Sequence, residues 1–207
     1  MTERPGLAPG FEDYGLSSQR VFRLALGCLS RPCRALDFEA REGRPAWPLP
    51  PVAAALALTL LDSATPVWLS PSWRKAGDWL RFHRGCPVGG QAEKAAFILA
   101  ASPAELPPLA SLNQGSDRYP DSSATVIVAS VLPLDGRRPW LAEGPGLDGP
   151  VIFEGHGLEA GFLDQWRGNR AAYPRGVDIF LAGEKHLAGL PRSVSLADFS
   201  GGDSRCM

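Results

Sequence analysis

Lysine is scarce in this chain. Among 21 basic residues only Lys75, Lys94 and Lys185 are lysines, which leaves 18 arginines. Arginine suits planar, two-pronged contacts to carboxylate and phosphate, and a plain compositional bias produces the same excess. Histidine is equally rare. His83, His156 and His186 have no metal-ligand spacing and no carboxylate–histidine motif, so no metal site is expected. The cysteines Cys28, Cys33, Cys86 and Cys206 are scattered and include no Cys-x-x-Cys pair. That argues against a disulfide scaffold. Residues Met1–Gly10 are polar and proline-rich with no apolar core, so no secretory leader is expected. The expected compartment is the reducing cytoplasm. The longest apolar run, Val52–Leu61, is too short to cross a bilayer and reads as a buried helix. A formal net charge of −1 leaves no basic surplus for nucleic acid. No Gly-Lys-Ser/Thr occurs, so there is no Walker-type phosphate loop.

What is present fits one globular domain of 207 residues with an ordinary apolar content. The expected organisation is a loose arm over 1–16, a single α/β domain over 17–198 and a frayed tail over 199–207. Ser17 or Ser18 is the expected cap of a helix over Gln19–Ser30, with Phe22, Ala25, Leu26 and Leu29 as its apolar stripe. Pro50-Pro51 opens the helix Val52–Leu61. Further helices are expected over Ser72–His83 and Glu159–Ala172, with short helical turns in Pro103–Leu112. Strands are expected at Ala35–Phe38, Pro66–Leu69, Ala95–Ala100, Thr125–Val131, Val151–Glu154, Val177–Ala182 and Leu190–Leu196. Arg138–Ala142 is expected to pair with Thr125–Val131 across the Asp135-Gly136 turn. The alternation of helix and strand implies an α/β class with a mixed sheet flanked by helices.

No self-contained catalytic set emerges. His83 ends a helix beside Arg81 and Arg84. It reads either as an acid–base group or anion ligand, or as a helix-terminal histidine facing the negative end of the dipole. Arg20 and Arg23 lie on the polar side of the first helix. With Arg81, Arg84 and Arg192 they form candidates for a phosphate-like oxyanion, a nucleoside triphosphate or an acidic partner surface. The other reading is solvated helix faces and local salt bridges. The glycine-rich Gly144–Gly149 stretch reads as a tight bend, because Pro145 removes a donor that a phosphate cradle uses. Lys185 is the lysine of the C-terminal half, in a turn-like Gly-Glu-Lys-His context with nothing that resembles a cofactor pocket. Asp178 opens an apolar strand and needs a hydrogen bond or an arginine.

The densest signal is Leu112–Thr125. Gly115 supplies positive φ, Pro120 pushes Tyr119 towards an extended shape, and Asn113, Asp117 and Asp121 can bond nearby backbone. Asp121 is expected to cap the amides of Ser123 or Ala124. The string Leu112-Asn113-Gln114-Gly115-Ser116-Asp117-Arg118-Tyr119-Pro120-Asp121-Ser122-Ser123-Ala124-Thr125 resembles the "LNQG-TD-YPD-SAT" signature of the PhnH family, a component of the bacterial carbon–phosphorus lyase system. Further blocks match in order over about residues 10–195. They are Gly10-Phe11 with Ser18–Arg23, Leu61-Asp62 with Thr65–Leu69, Trp79–His83 with Gly85 and Pro87, Gly144–Gly146, Trp166-Arg167 with Asn169, Tyr173-Pro174 with Gly176–Asp178, and Leu190–Arg192. Cys33 departs from the family pattern, which has glycine after Arg-Pro. Arg84 and Arg175 depart where a small polar and an apolar residue are usual.

The resemblance implies a core related to the large domain of pyridoxal-phosphate-dependent transferases, with that cofactor lost. It implies no cofactor at all, and no catalytic or metal residue in this chain. The implied role is an accessory subunit of the assembly that makes α-D-ribose 1-methylphosphonate 5-triphosphate from ATP and methylphosphonate with release of adenine. Partners are then subunits I, G and J, with a homodimer when the chain is alone. Arg20, Arg81, His83, Asn113, Asp121 and Arg192 are the candidates for ligand or partner contact. The alternatives are a stand-alone phosphate- or phosphonate-binding transferase, and a non-catalytic scaffold.

Overall fold

Pro51 fixes the first turn of a helix whose next seven residues, Val52–Leu58, are all buried. Pro51–Leu60 (α2) is apolar on every side, and such a helix belongs in a core rather than on a surface. The computed structural model that shows this describes residues 9–38, 48–129, 139–154, 158 and 160–199. Helices α1 (Tyr14–Ser30) and α3 (Gly77–Arg84) pack against α2, and α4 (Ala160–Ala171) lies on the other face of the sheet. The strands are β1 (Leu36–Asp37), β2 (Val67–Leu69), β3 (Phe97–Ala100), β4 (Thr125–Ala129), β5 (Trp140–Glu143), β6 (Val151–Phe153), β7 (Asp178–Ala182), β8 (His186–Leu190) and β9 (Ser195–Asp198).

Six strands form a mixed sheet in the order β1-β8-β7-β4-β3-β2, with β2, β3, β4 and β7 parallel. The outer pairs β7–β8 and β1–β8 are antiparallel. Side chains alternate across a strand, and here the alternation splits the interior in two. Leu99, Ile127 and Phe180 share one register level and face the core built by α1, α2 and α3. Ile98, Val126 and Ile179, one residue earlier, face a second core with Trp140, Phe162 and Trp166. Because both faces are covered, these strands read as continuous apolar runs. A separate antiparallel sheet, β6-β5-β9, closes the second core. Among the described residues no helix is long and apolar enough to cross a membrane.

The α/β class and mixed sheet stand as expected, and several details differ. The first helix begins at Tyr14 and is capped by Asp13, whose Oδ1 accepts from the Leu16 amide at 3.0 Å, not by Ser17 or Ser18. Its buried face is Val21, Ala25 and Cys28, while Phe22 and Leu26 are 47% and 52% exposed. Small residues win because α1 lies directly on β8: a Cβ at Gly189 would sit 2.6 Å from the Cys28 carbonyl oxygen. The expected helix Ser72–His83 is a 3-10 segment, Pro71–Ala76, running into α3.

Residues 140–143 do not pair with β4, because both edges of β4 are taken by β3 and β7. They pair with β6 and β9 instead, and the Asp135-Gly136 turn lies outside the described residues. The expected strand Leu190–Leu196 is cut in two. Leu190 closes β8, a turn follows in which the Val194 amide donates to Pro191 O at 2.9 Å, and β9 joins the other sheet. His186 begins β8 and closes the turn before it, its carbonyl accepting from the Gly183 amide at 2.8 Å.

Candidate functional site

Asn113 holds the signature loop in shape. Its Oδ1 accepts from the Gly115 amide at 3.1 Å and its Nδ2 donates to Ser122 O at 2.7 Å. Its own carbonyl accepts from Ala124 at 2.7 Å. Ser116 and Tyr119 exchange backbone hydrogen bonds at 3.1 Å in both directions. This folds the loop onto Gly115, which has φ +70; a Cβ there would meet Pro120 O at 2.9 Å and Tyr119 O at 3.0 Å. Asp121 is exposed and does not cap the turn. The Ser123 amide goes to Pro120 O at 3.4 Å and the Ala124 amide to Asn113. The expected cap fails because backbone carbonyls reach those donors first.

The loop is pinned to the strand ends by Arg192. Its guanidinium donates to both oxygens of Asp178, to Ser123 Oγ at 2.6 Å, to Pro120 O at 2.7 Å and to Pro174 O at 3.4 Å. These bonds occupy Nε and both terminal nitrogens, so the side chain has no donor left to offer a ligand. Asp178 therefore has the arginine that its position demands. The Gly176 amide donates to Gln114 O at 3.0 Å, and the exposed pair Arg175–Asp117 adds a second tie at 3.1 Å. Asn169, which is buried, brackets Val177 with bonds of 3.0 and 2.8 Å. Four separate sequence blocks thus meet at one place, the amino-terminal ends of β4 and β7.

In open α/β sheets ligands gather at the carboxyl ends of strands, where the strand order reverses. The parallel strands here run β2-β3-β4-β7 with no reversal between neighbours. At their carboxyl ends the Ser72 amide donates to Glu105 at 3.0 Å, and this bond holds the Glu105 carboxyl below its ordinary range. Buried Ser70 Oγ accepts from Ala101 N at 3.0 Å. The segment that follows β4 lies outside the described residues.

A second cluster surrounds His83. Its Nδ1 lies 3.0 Å from Tyr14 Oη, its ring packs on Trp79 at 4.8 Å between centroids, and Phe82 meets it edge-on at 5.0 Å. Phe11 is buried and meets Tyr14 edge-on at 5.6 Å. Tyr14 carries no sequence signal of this role, since nothing in the local pattern reports a contact 69 residues away. Arg81 donates to Asp78 and to Val88 O, both at 2.9 Å. Arg20 is exposed on α1, about 9 Å along the axis from Tyr14 at ~1.5 Å per residue. Arg192 does not join this group. Asp178 opens β7 and Val67 opens β2, three strand positions apart, about 14 Å at ~4.8 Å per step.

Among the described residues no group of three or more His, Cys, Asp and Glu could hold a metal. His186 Nδ1 lies 3.0 Å from Asp37 Oδ1 across the β1–β8 edge, in an exposed pair. His156 and Cys206 lie outside the described residues. Burial pushes the Cys28 and Cys33 thiols up to about 12, so neither is a nucleophile at neutral pH.

Comparison with known proteins agrees with the sequence blocks. Residues 9–197 match the family model described as bacterial phosphonate metabolism protein (PhnH). A curated relative, the alpha-D-ribose 1-methylphosphonate 5-triphosphate synthase subunit PhnH of Rhizobium meliloti (strain 1021), is 36% identical over 188 residues, 90% of this chain and 93% of that protein. With a match over nearly the whole chain and a relative this similar, the chain belongs to the PhnH family of bacterial phosphonate metabolism proteins.

Proposed function

We propose that this chain is an accessory subunit of a synthase that converts ATP and methylphosphonate to α-D-ribose 1-methylphosphonate 5-triphosphate with release of adenine. The likeness to the Rhizobium meliloti subunit over nearly the full length of both chains carries the reading. The bonding of Arg192 and Asn113 supports it, since all the side-chain donors of Arg192 are used inside the fold and Asn113 ties the backbone of its own loop. Adenine displacement needs a group that activates the leaving base and donors for the triphosphate charge. His83, whose Nδ1 is taken up by Tyr14, is a weak candidate for the first.

The partners in this reading are carbon–phosphorus lyase subunits I, G and J, in the cytoplasm. The free chain is a homodimer, and its core descends from the large domain of pyridoxal-phosphate-dependent transferases without the cofactor. The division into arm, single domain and tail belongs to the same proposal, although α1 starts at Tyr14, inside the arm expected over 1–16. The test is adenine release from ATP plus methylphosphonate. The purified chain is expected to be silent, and the reaction to appear when the partner subunits are added and to fall when this chain is left out. Adenine formed by the chain alone, and lost in His83→Ala, would replace this reading with a stand-alone transferase.

A further inference from the structure

The turn after α1 and the hairpin between β5 and β6 face each other across a groove of about 470 Å³. Arg31 and Arg34 line one side, and Leu147, Asp148, Val151 and Ile152 the other. The size falls within the range of small-molecule sites, ~300–1,000 Å³. Its walls are set by backbone contact. A Cβ on Gly146 would lie 2.9 Å from Pro32 Cδ and would also strike Ser30 O. Opposite, Cys33 holds φ +62 while its amide donates to Gly189 O at 2.9 Å, fixing the turn on β8. A left-handed conformation is disfavoured for a residue with a Cβ, so the turn is held against a local preference.

The chemistry of the lining is asymmetric. The side chains of Arg31 and Arg34 make no hydrogen bond or ion pair among the described residues, unlike Arg81, Arg167, Arg175 and Arg192. Both arginines line the groove, and a guanidinium matches the oxygens of a tetrahedral phosphorus group. Ile152 is 57% exposed beside them and offers an apolar wall. Asp148 supplies a carboxylate that accepts from a hydroxyl and repels a bare anion.

We propose that this groove binds a small organophosphorus oxyanion, with the PO₃ group on Arg31 and Arg34 and its organic part against Leu147 and Ile152. The ligand is an alkylphosphonate or a sugar phosphate; a sugar hydroxyl reaches Asp148. The subunit role proposed above supplies no part of this geometry. Binding to the isolated chain and turnover by the assembly therefore fail independently.

Calorimetric titration of the full chain with methylphosphonate, ribose 5-phosphate and inorganic phosphate tests the proposal. Saturable binding of at least one organic probe is expected, tighter than phosphate. Arg31→Ala and Arg34→Ala should each weaken it about tenfold, the size of one lost charge-assisted hydrogen bond. Both arginines are exposed, so the variants should keep the wild-type thermal midpoint, which separates lost binding from lost folding. Asp148→Asn should tighten methylphosphonate and weaken ribose 5-phosphate, and the tighter of the two probes names the ligand class. No saturable binding of either organic probe, equal binding of inorganic phosphate, or binding unchanged in the double arginine variant would each overturn the site.

Discussion

Arg192 and Asp178 stand side by side at the amino-terminal edge of the sheet, 2.6 Å apart at their nearest atoms, and the Arg192 amide donates to the same carboxylate at 2.7 Å. Their side chains are only 14% and 21% exposed. Three segments far apart in sequence are joined through this pair: the signature loop, the turn before β7 and the turn after β8.

Removing either partner should be costly, because the survivor is left with an uncompensated charge in a partly desolvated place. Arg192→Ala and Asp178→Ala are each expected to lose about 2–3 kcal/mol. Arg192→Lys should recover little, since a lysine cannot reproduce the fork that reaches Asp178, Ser123 and Pro120 together. Urea unfolding of the three variants measures this, and a lysine variant as stable as wild type would remove the guanidinium geometry from the argument.

Two polar residues of the signature loop, Asn113 and Asp121, should differ in what they contribute to stability. Asn113→Ala deletes two side-chain hydrogen bonds and is expected to cost about 1–2 kcal/mol. Asp121→Ala, exposed and outside the turn's own bonding, should change stability by no more than about 0.5 kcal/mol. Thermal melts of the free protein compare them directly. If Asp121→Ala keeps its melting point yet fails to co-purify with partner subunits, Asp121 is an interface residue.

Gly115→Val should be more damaging than either. It places a β-branched residue at φ +70 and drives a Cβ into the Pro120 and Tyr119 carbonyls. The conformational part alone is about 1–2 kcal/mol, and the contact adds to it. A lowered denaturant midpoint with an unchanged slope is the expected signature.

Alkaline pH should erode stability through the cysteines. Burial raises the folded-state thiols of Cys28 and Cys33 to about 12, against roughly 8.5 for an unfolded thiol. Below about 8.5 both states are protonated and the full contribution is present. As pH rises from there towards about 12 the unfolded chain ionises first and stability falls. Urea unfolding across that range should show a falling limb that is shallower in Cys28→Ala, after allowance for the constant loss from the cavity. An identical slope in the variant would mean that Cys28 ionises in the folded protein as it does in the unfolded one.

At the acid end Glu105 acts with the opposite sign. The Ser72 amide lowers its folded-state value. Its contribution is therefore present above the unfolded range of about 4.3 and lost as pH falls through the lower folded value. Glu105→Gln should flatten that part of the acid limb in a pH series followed by circular dichroism.

The class of the fold was legible because it depends on local periodicity. Proline at the start of an all-apolar segment announced α2, and continuous β-branched and aliphatic runs announced β3, β4 and β7. Local pattern also located the signature loop, since Gly115 and Asn113 satisfy geometric demands within a few residues of themselves. The arginine that Asp178 was expected to need is there, but the expected face of α1 and the expected partner of Arg138–Ala142 failed, because each depends on a neighbour remote in the chain. The buried face of α1 went to Ala25 and Cys28 in place of Phe22 and Leu26, because distance to β8 selects size and that distance is not encoded within the helix.

The candidate contact residues divide along the same line. Arg192, Asn113 and His83 were visible as unusual polar residues, and their partners Asp178, Ser122 and Tyr14 are fixed by how strands and helices stack. Arg31 and Arg34 carried no signal beyond their charge, and only the approach of the Gly146 hairpin to Pro32 turns them into one wall of a groove. Sequence by itself determined element types and the family, because hydrophobic period, turn chemistry and ordered motifs are properties of the chain read in order. Tertiary structure alone decided which side chains spend their donors inside the fold and which stay unpaired among the described residues, because hydrogen bonds and burial depend on contacts between residues remote in the chain.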